Sequence, residues 1–515
     1  MQRAGIAALL FSVLVTVLAF QGLIGFGHGG ADWSLLSDRY YQSVLLFSLK
    51  QASLSALLSL LLAWPLARAL YYRPQLPARR GFLSLCVLAF VMPTLVLITG
   101  LVALLGRNGL LSPLLGEQWN LYGLNGILIA HVYLNLPFAV RVMLQQLQHI
   151  PDSSWQLAAQ LKLSRWQRLR LIEWPTLKPA VLVLFGFVFV LCFNSFAVVL
   201  ALGGGPRATT LEVAIYQALK YDFNIPEALT LAWSQLLIAG SLFLLLSRWG
   251  RSHWLSVDTL QRQWIPQPNQ PMKLIHAMVY AAGWLLLLLP IVALLPGVLE
   301  VDMARFGWSA LLRPTLVSLV VGLLAAGGAM LLAYLMLTPV RQAHLKRQRK
   351  RALLLEWLST HALVAPAMVV SVGLYILLLR QIDLDRWGML FVVLLNMLMV
   401  VPFAVQQLRP RLLQYDAQYH RLCRALKLSG RQRLRLEWPF LRPAFIASFA
   451  LILVLAIGDL AIFAIFGNEQ WTTLPWLIYS YAGSYRIAEA SLASLLLLLL
   501  CALIVWAFER IRLDA

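Results

Sequence analysis

The chain has 515 residues, 60% of them hydrophobic and only 12% charged, far from the roughly 45 to 50% apolar and 25% charged of a soluble domain. Its 42 Lys and Arg outnumber 21 Asp and Glu to give a formal net charge of +21. The basic residues sit in short loops between apolar runs, not on the solvated polar surface that nucleic-acid proteins present. Composition therefore excludes a soluble enzyme and a nucleic-acid binder, and leaves an all-α integral membrane protein whose basic loops set its orientation.

A transmembrane helix needs about 20 mainly apolar residues, and that rule predicts twelve. They lie near 5–25, 44–70, 82–105, 122–143, 180–202, 228–247, 274–298, 314–338, 353–379, 388–408, 444–466 and 489–508. The first run follows Arg3, exceeds a signal peptide's apolar core and lacks a small-residue cleavage site, so it reads as a retained span. Basic residues are dense in loops 68–80, 141–178, 248–273, 341–351 and 409–442 and sparse in the loops between. The positive-inside rule then places those five loops and both termini in the cytoplasm. Cys86, Cys192, Cys423 and Cys501 are far apart, without metal-ligand spacing, and read as small core residues.

The chain repeats itself. Pro137-Phe-Ala-Val140 recurs as Pro402-Phe-Ala-Val405, and Leu161 to Pro175 recurs as Leu426 to Pro439, both starting 265 residues later. The second copy of the longer string reads as the first with one residue deleted after the shared Leu-Lys-Leu-Ser. Thr209-Thr-Leu211 returns as Thr472-Thr-Leu474, and Pro93 with Gly100 returns as Pro366 with Gly373. The expected organisation is a first six-span repeat over 1–247, a cytoplasmic linker over 248–273 and a second six-span repeat over 274–515. Both repeated loops fall on one side, so the halves are parallel repeats about an axis along the membrane normal.

The repeated loops, 144–178 and 409–443, are too polar to span. Ser153 or Ser154 is placed to cap a helix through Trp155, Ala158, Ala159 and Leu161, with a second short helix from Trp166 to Ile172 ending before Pro175. One reading is an interfacial helix whose arginines meet anionic lipid. The other is a docking element for a cytoplasmic partner, favoured because the duplication preserves sequence order, which attraction to lipid does not require.

This pattern resembles the cytoplasmic motif of ATP-binding-cassette (ABC) importer permeases of the MetI-like type, E-A-A-x3-G-x9-I-x-L-P, whose short coupling helix sits in a cleft of the ATPase subunit. Its positions fall on Gln156, Leu157, Ala158 and Lys162, with Ile172, Trp174 and Pro175 closing it. In the second copy they fall on Arg421, Leu422, Cys423, Lys427 and Pro439. The resemblance implies an ATPase-coupling surface that includes Gln156, Ala158, Ala159, Lys162, Leu163 and Pro175, and Arg421, Ala425, Lys427, Leu428 and Pro439. Neither copy keeps the motif's acid or its glycine, and a lysine in place of glycine is expected to make the turn only at negative φ. The stretch from Phe193 to Leu219, the fused length, and Gly458-Asp459 with Phe466-Gly-Asn468 resemble the fused thiamine and ferric-iron importer permeases, nearest the thiamine group. That resemblance implies two copies of a cytoplasmic ATPase, a periplasmic substrate-binding protein, a bacterial inner-membrane location and a cargo of thiamine, its phosphate esters being further candidates and ferric iron the alternative. It implies no cofactor bound by this chain, ATP and Mg being used by the partner, and no catalysis of its own.

Few polar groups lie within the spans. Asp459 is the one carboxylate well inside a predicted helix, and its repeat-mate is Ser195, beside Asn194. Burying an acid there is costly unless it is paired or hydrated, so Asp459, Asn194 and Ser195 are substrate-path candidates. Asp459 would meet the fixed positive charge of a thiazolium, or alternatively cap a helix break at Gly458. Thr209 and Thr472 each open a short amphipathic run on the external side, as candidates for facing a binding protein. Gly203-Gly-Gly-Pro206 lacks the Gly-Lys-Ser/Thr ending of a P-loop and reads as a flexible exit from a span. His131 and His361 read as hydrogen-bonded core residues. An ion-coupled secondary transporter would need charged residues in several helices, and a membrane enzyme would need a His, Asp or Glu cluster at one face.

Overall fold

A computed structural model describes residues 2–25, 33–116, 118–205, 208–249, 269–302, 307–363, 367–379 and 381–513. Pro206, Pro366 and most of the expected linker 248–273 lie outside the described residues. The described chain contains helices and no strand, apart from one isolated bridge between Asn468 and Trp471.

The first half runs α1 (Gln2–Gly25), α2 (Arg39–Tyr72), α3 (Arg79–Val91), α4 (Thr94–Leu105), α5 (Leu124–Gln148) and α6 (Asp152–Gln160). It continues with α7 (Arg165–Phe193), α8 (Ala197–Leu202), α9 (Leu211–Lys220) and α10 (Ile225–Trp249). The second half repeats this order as α11 (Gln270–Leu299), α12 (Trp308–Leu345), α13 (Arg349–Thr360), α14 (Ala367–Leu378) and α15 (Leu384–Ala425). It closes with α16 (Gly430–Ile457), α17 (Ala461–Phe466), α18 (Leu474–Gly483) and α19 (Ile487–Leu513).

Among the described residues, nine helices are long and apolar enough to cross a membrane, or ten if α3 and α4, bent by 105° at Met92 and Pro93, count as one span. The other two expected spans correspond to α10 and to α13 with α14. The bend has a chemical cause: a proline biases the residue before it away from helix, and Met92 sits at φ −57°, ψ 131°.

The chain folds as two compact units that are not its two halves. One comprises residues 37–213 and 238–300, the other 1–36, 214–237 and 301–515. Each unit thus contains the first helix of the other half. In the first unit α11 packs on α2, α3 and α4; in the second, α1 packs on α12 and α14. The repeat-mates Gly100 and Gly373 mark the crossings. A Cβ on Gly100 would collide with the Pro290 carbonyl of α11, and a Cβ on Gly22 of α1 would collide with the Gly373 carbonyl. Small residues let spanning helices approach backbone to backbone where no hydrophobic force drives them together, which gives these repeated glycines a packing role.

Within each unit the first backbone amide of a short helix is pinned by a serine from a long one. Leu211 N, opening α9, donates to Ser48 Oγ of α2 at 3.0 Å, and Leu474 N, opening α18, donates to Ser318 Oγ of α12 at 2.7 Å. An orphan amide at a helix start needs such an acceptor when water is absent.

Candidate functional site: two repeated loops

In the first loop α5 stops at Gln148, because Pro151 disfavours helix at the residue before it. The next helix, α6, begins at Asp152 with Pro151 as its N-cap residue, ahead of the expected Ser153 or Ser154. Trp155 is fully buried, its Nε1–H donating to the Tyr71 hydroxyl of α2 at 2.9 Å, and Ala158 is buried on the same side. Gln156, Leu157, Ala159 and Leu161 face outward, with Leu157 and Leu161 55% and 61% exposed. A helix this short holds its orientation through that tryptophan anchor, since short isolated helices are marginal.

The turn after α6 corrects the expectation for Lys162. Its φ is 49°, in the left-handed region, so the lysine takes the conformation a glycine would supply. Lys162 N donates to Ala159 O at 3.1 Å and Leu163 N to Ala158 O at 3.0 Å, the bond pair of a Schellman motif. Those two bonds satisfy otherwise orphaned carbonyls and offset the left-handed cost of about 1–2 kcal/mol. Ser164 then caps α7 in a reciprocal box with Gln167, at 3.4 Å from Gln167 N and 2.8 Å back to Ser164 N.

The second loop uses the same parts in a stiffer frame. Asp416 stands where the first loop has Pro151, and α15 runs unbroken to Ala425. Cys423 is buried, whereas Arg421, Leu422, Ala425 and Leu426 are exposed. Lys427 has φ 50°, Lys427 N donates to Arg424 O and Leu428 N to Cys423 O, each at 3.1 Å. Ser429 and Gln432 form the second capping box. Lys162→Gly and Lys427→Gly are therefore expected to stabilise each turn by up to about 1 kcal/mol. Lys162→Val, β-branched at positive φ, should destabilise it; thermal unfolding of the purified protein measures both.

The two capping boxes also correct where the copies diverge. The 265-residue offset holds from Ser164 and Ser429 through Gln167 and Gln432 to Leu171 and Leu436, so the residue missing from the second copy is Ile172. In the first copy Leu169–Glu173 form a π-helical turn, with Trp174 N bonded to Leu169 O, and in the second copy this region is plain α-helix. A π-turn accommodates one extra residue while leaving the rest of the helix in register. Neither helix ends before its proline: α7 runs through Pro175 and α16 through Pro439, both prolines exposed. Proline is tolerated in long spanning helices.

That registration keeps a buried acid in the same place twice. Glu173 has no exposed surface, and Arg68 of α2 holds it at 2.7 and 3.1 Å while the Tyr72 hydroxyl donates at 2.7 Å. Glu437 is held by Arg341 of α12 at 2.8 and 2.9 Å and by Tyr334 at 3.2 Å, and the same arginine binds Asp416 at 2.6 and 2.7 Å. The loops thus lack the motif's acid but carry another, which locks each loop's exit to a neighbouring helix. Sequence reasoning passed over it, although the signal was present in the repeated Glu-Trp-Pro.

The substrate-path candidates lie at matching breaks. Asn194 and Ser195 separate α7 from α8, and Gly458 and Asp459 separate α16 from α17; Asn194, Ser195 and Asp459 are half-buried. Asp459 accepts a hydrogen bond from Ile462 N at 3.1 Å, so it caps α17. Thr209 does not present an outer surface: it is buried, its hydroxyl donating to Gly205 O at 3.2 Å. Thr472 is half-buried beside buried Thr473. His131 bonds the Ser55 hydroxyl at 3.0 Å and His361 the Thr16 hydroxyl at 3.0 Å, as structural histidines do.

Residues 55–251 match the family described as binding-protein-dependent transport system inner membrane component. The thiamine transport system permease protein ThiP of Brucella abortus is 38% identical over 94% of this chain and 90% of its own. ThiP of Escherichia coli is 36% identical over 98% and 96%. A ferric transport system permease protein of Haemophilus influenzae is 26% identical over 36% of this chain and 31% of its own. The doubled helix order, the two matched loops and near full-length similarity agree, and the chain belongs to the family of thiamine transport system permeases, the inner-membrane components of binding-protein-dependent ABC importers.

Proposed function

We propose that the chain is the membrane subunit of an ATP-driven importer that carries thiamine, and its phosphate esters where the binding protein delivers them, across the bacterial inner membrane. The observation that carries the coupling is the pair of loops with one turn geometry, each presenting two outward leucines 265 residues from their mates. A duplicated surface suits two copies of one cytoplasmic ATPase, which would supply ATP and Mg chemistry, while a periplasmic binding protein delivers cargo on the far side. Closure and opening of the ATPases would then alternate the access of a central path. The cargo rests on what the relatives are named for, which also ranks thiamine above ferric iron.

The breaks at Asn194–Ser195 and Gly458–Asp459 belong to that path in this reading, with the Asp459 carboxylate facing the thiazolium. Proteoliposomes holding this chain, its ATPase and the loaded binding protein should take up labelled thiamine only with ATP. Uptake driven by an ion gradient without the ATPase would overturn the reading. Asp459→Asn separates charge from cap, because Asn caps a helix as well as Asp. It should weaken the apparent affinity about tenfold, equivalent to about 1.4 kcal/mol, and unchanged rate and affinity would remove Asp459 from the path.

A further inference from the structure

Lys220, the last residue of α9, lies between elements of the second half of the chain. Its ammonium donates to Ile465 O at 3.1 Å and sits 5.1 Å from the centroid of the Tyr375 ring. Ile465 is next to last in α17, so its carbonyl is among those that a helix end leaves without an intrahelical partner. The Tyr375 ring stands edge-on to Phe466 at 5.6 Å, and Phe466 stacks on Phe391 at 5.7 Å, so the ring face is held in place.

A carbonyl and a ring face, both uncharged, hold this cation, and half-burial pulls its pKa below the ordinary lysine value. Those two groups are also what recognises an organic cation that cannot shed its charge. The fold of the helix does not demand the lysine. Tyr216 of α9 corresponds to Tyr479 of α18, so the mate of Lys220 is Gly483, and α18 closes there without a side chain.

We propose that the Tyr375 face and the Ile465 carbonyl form a station for an organic cation at the end of α17, and that Lys220 occupies it as a tethered competitor until cargo displaces it. The proposal rests on the reading that the cargo carries a fixed positive charge. A tethered group competes at an effective concentration of order millimolar, and an occupied site weakens apparent affinity by the fraction of time it is free.

The test is direct binding to the assembled permease and ATPase complex in nanodiscs, with labelled thiamine and, separately, labelled tetraethylammonium as a cation without thiamine's chemistry. Lys220→Met should bind both at least about fivefold more tightly. Lys220→Arg, which keeps the tethered charge, should match the wild type. Tyr375→Leu should lose the gain when combined with Lys220→Met, and Tyr375→Phe should keep it. No tightening of either cation in Lys220→Met overturns the station, even where thiamine is transported normally. Tightening of tetraethylammonium alone supports the station and counts against thiamine as the cargo.

Discussion

Arg341→Met is expected to be the most damaging single substitution around the two repeated loops. The side chains of Arg341, Asp416 and Glu437 are 13%, 9% and 6% exposed. Removing the arginine leaves two carboxylates with no cation, and breaking a buried ion pair costs about 3–5 kcal/mol. Arg68→Met should cost less, because it strands only Glu173, which keeps the Tyr72 hydroxyl as a donor at 2.7 Å. Thermal unfolding in detergent and the amount of protein in the membrane would show that order.

The combination Arg341→Met, Asp416→Leu, Glu437→Met should regain much of the lost stability, since apolar side chains of similar volume can replace a buried ionic cluster. Uptake by the triple variant should stay below about a tenth of wild type if the cluster passes loop movement to α12. Recovery of both stability and uptake would show that these charges serve the fold alone. A single Arg341→Met protein as stable as the wild type would contradict the energetic argument.

The second large effect concerns the outward leucines. Leu161→Asp together with Leu426→Asp should reduce co-purification of the ATPase more than tenfold, because one charge on each loop would replace the apolar contact centre that the proposed coupling requires. Leu161 and Leu426 are 61% and 60% exposed, so folding stability should change within about 0.5 kcal/mol. Each single change should have an intermediate effect, since a partner held at two points loses avidity by degrees. If the loops instead lie on anionic lipid, the double variant keeps its ATPase, and that result would return the loops to the interfacial reading.

The parts of the site that could be read from sequence were those encoded locally. The loops, their duplication and the motif positions came from one linear string compared with another. The left-handed lysines could not be read there, because a positive φ at Lys162 or Lys427 is offset by hydrogen bonds from Leu163 to Ala158 and from Leu428 to Cys423, and bonds of that kind are not properties of a lysine. Glu173 lay in plain view within the repeat, yet its meaning depends on Arg68, 105 residues away. Thr209 looked like the start of an outward face because amphipathic spacing gives a direction only relative to neighbours that the string does not name.

Taken alone, the sequence determined the solvent and the helical class: long apolar runs read as spanning helices, nine or ten of which are long and apolar enough among the described residues, and an ordered duplication reads as a repeated helix order. Tertiary structure decided which helices keep company. That α1 lies with α12 and α14, and α11 with α2, α3 and α4, is a matter of close backbone approach at Gly22 against Gly373 and at Gly100 against Pro290. It also decided that Ile172 is the extra residue, absorbed by a π-turn so that Glu173 and Glu437 both reach an arginine. Hydropathy is a property of each residue and survives in a linear text, whereas packing partners and registration are set by contacts between residues far apart in the chain.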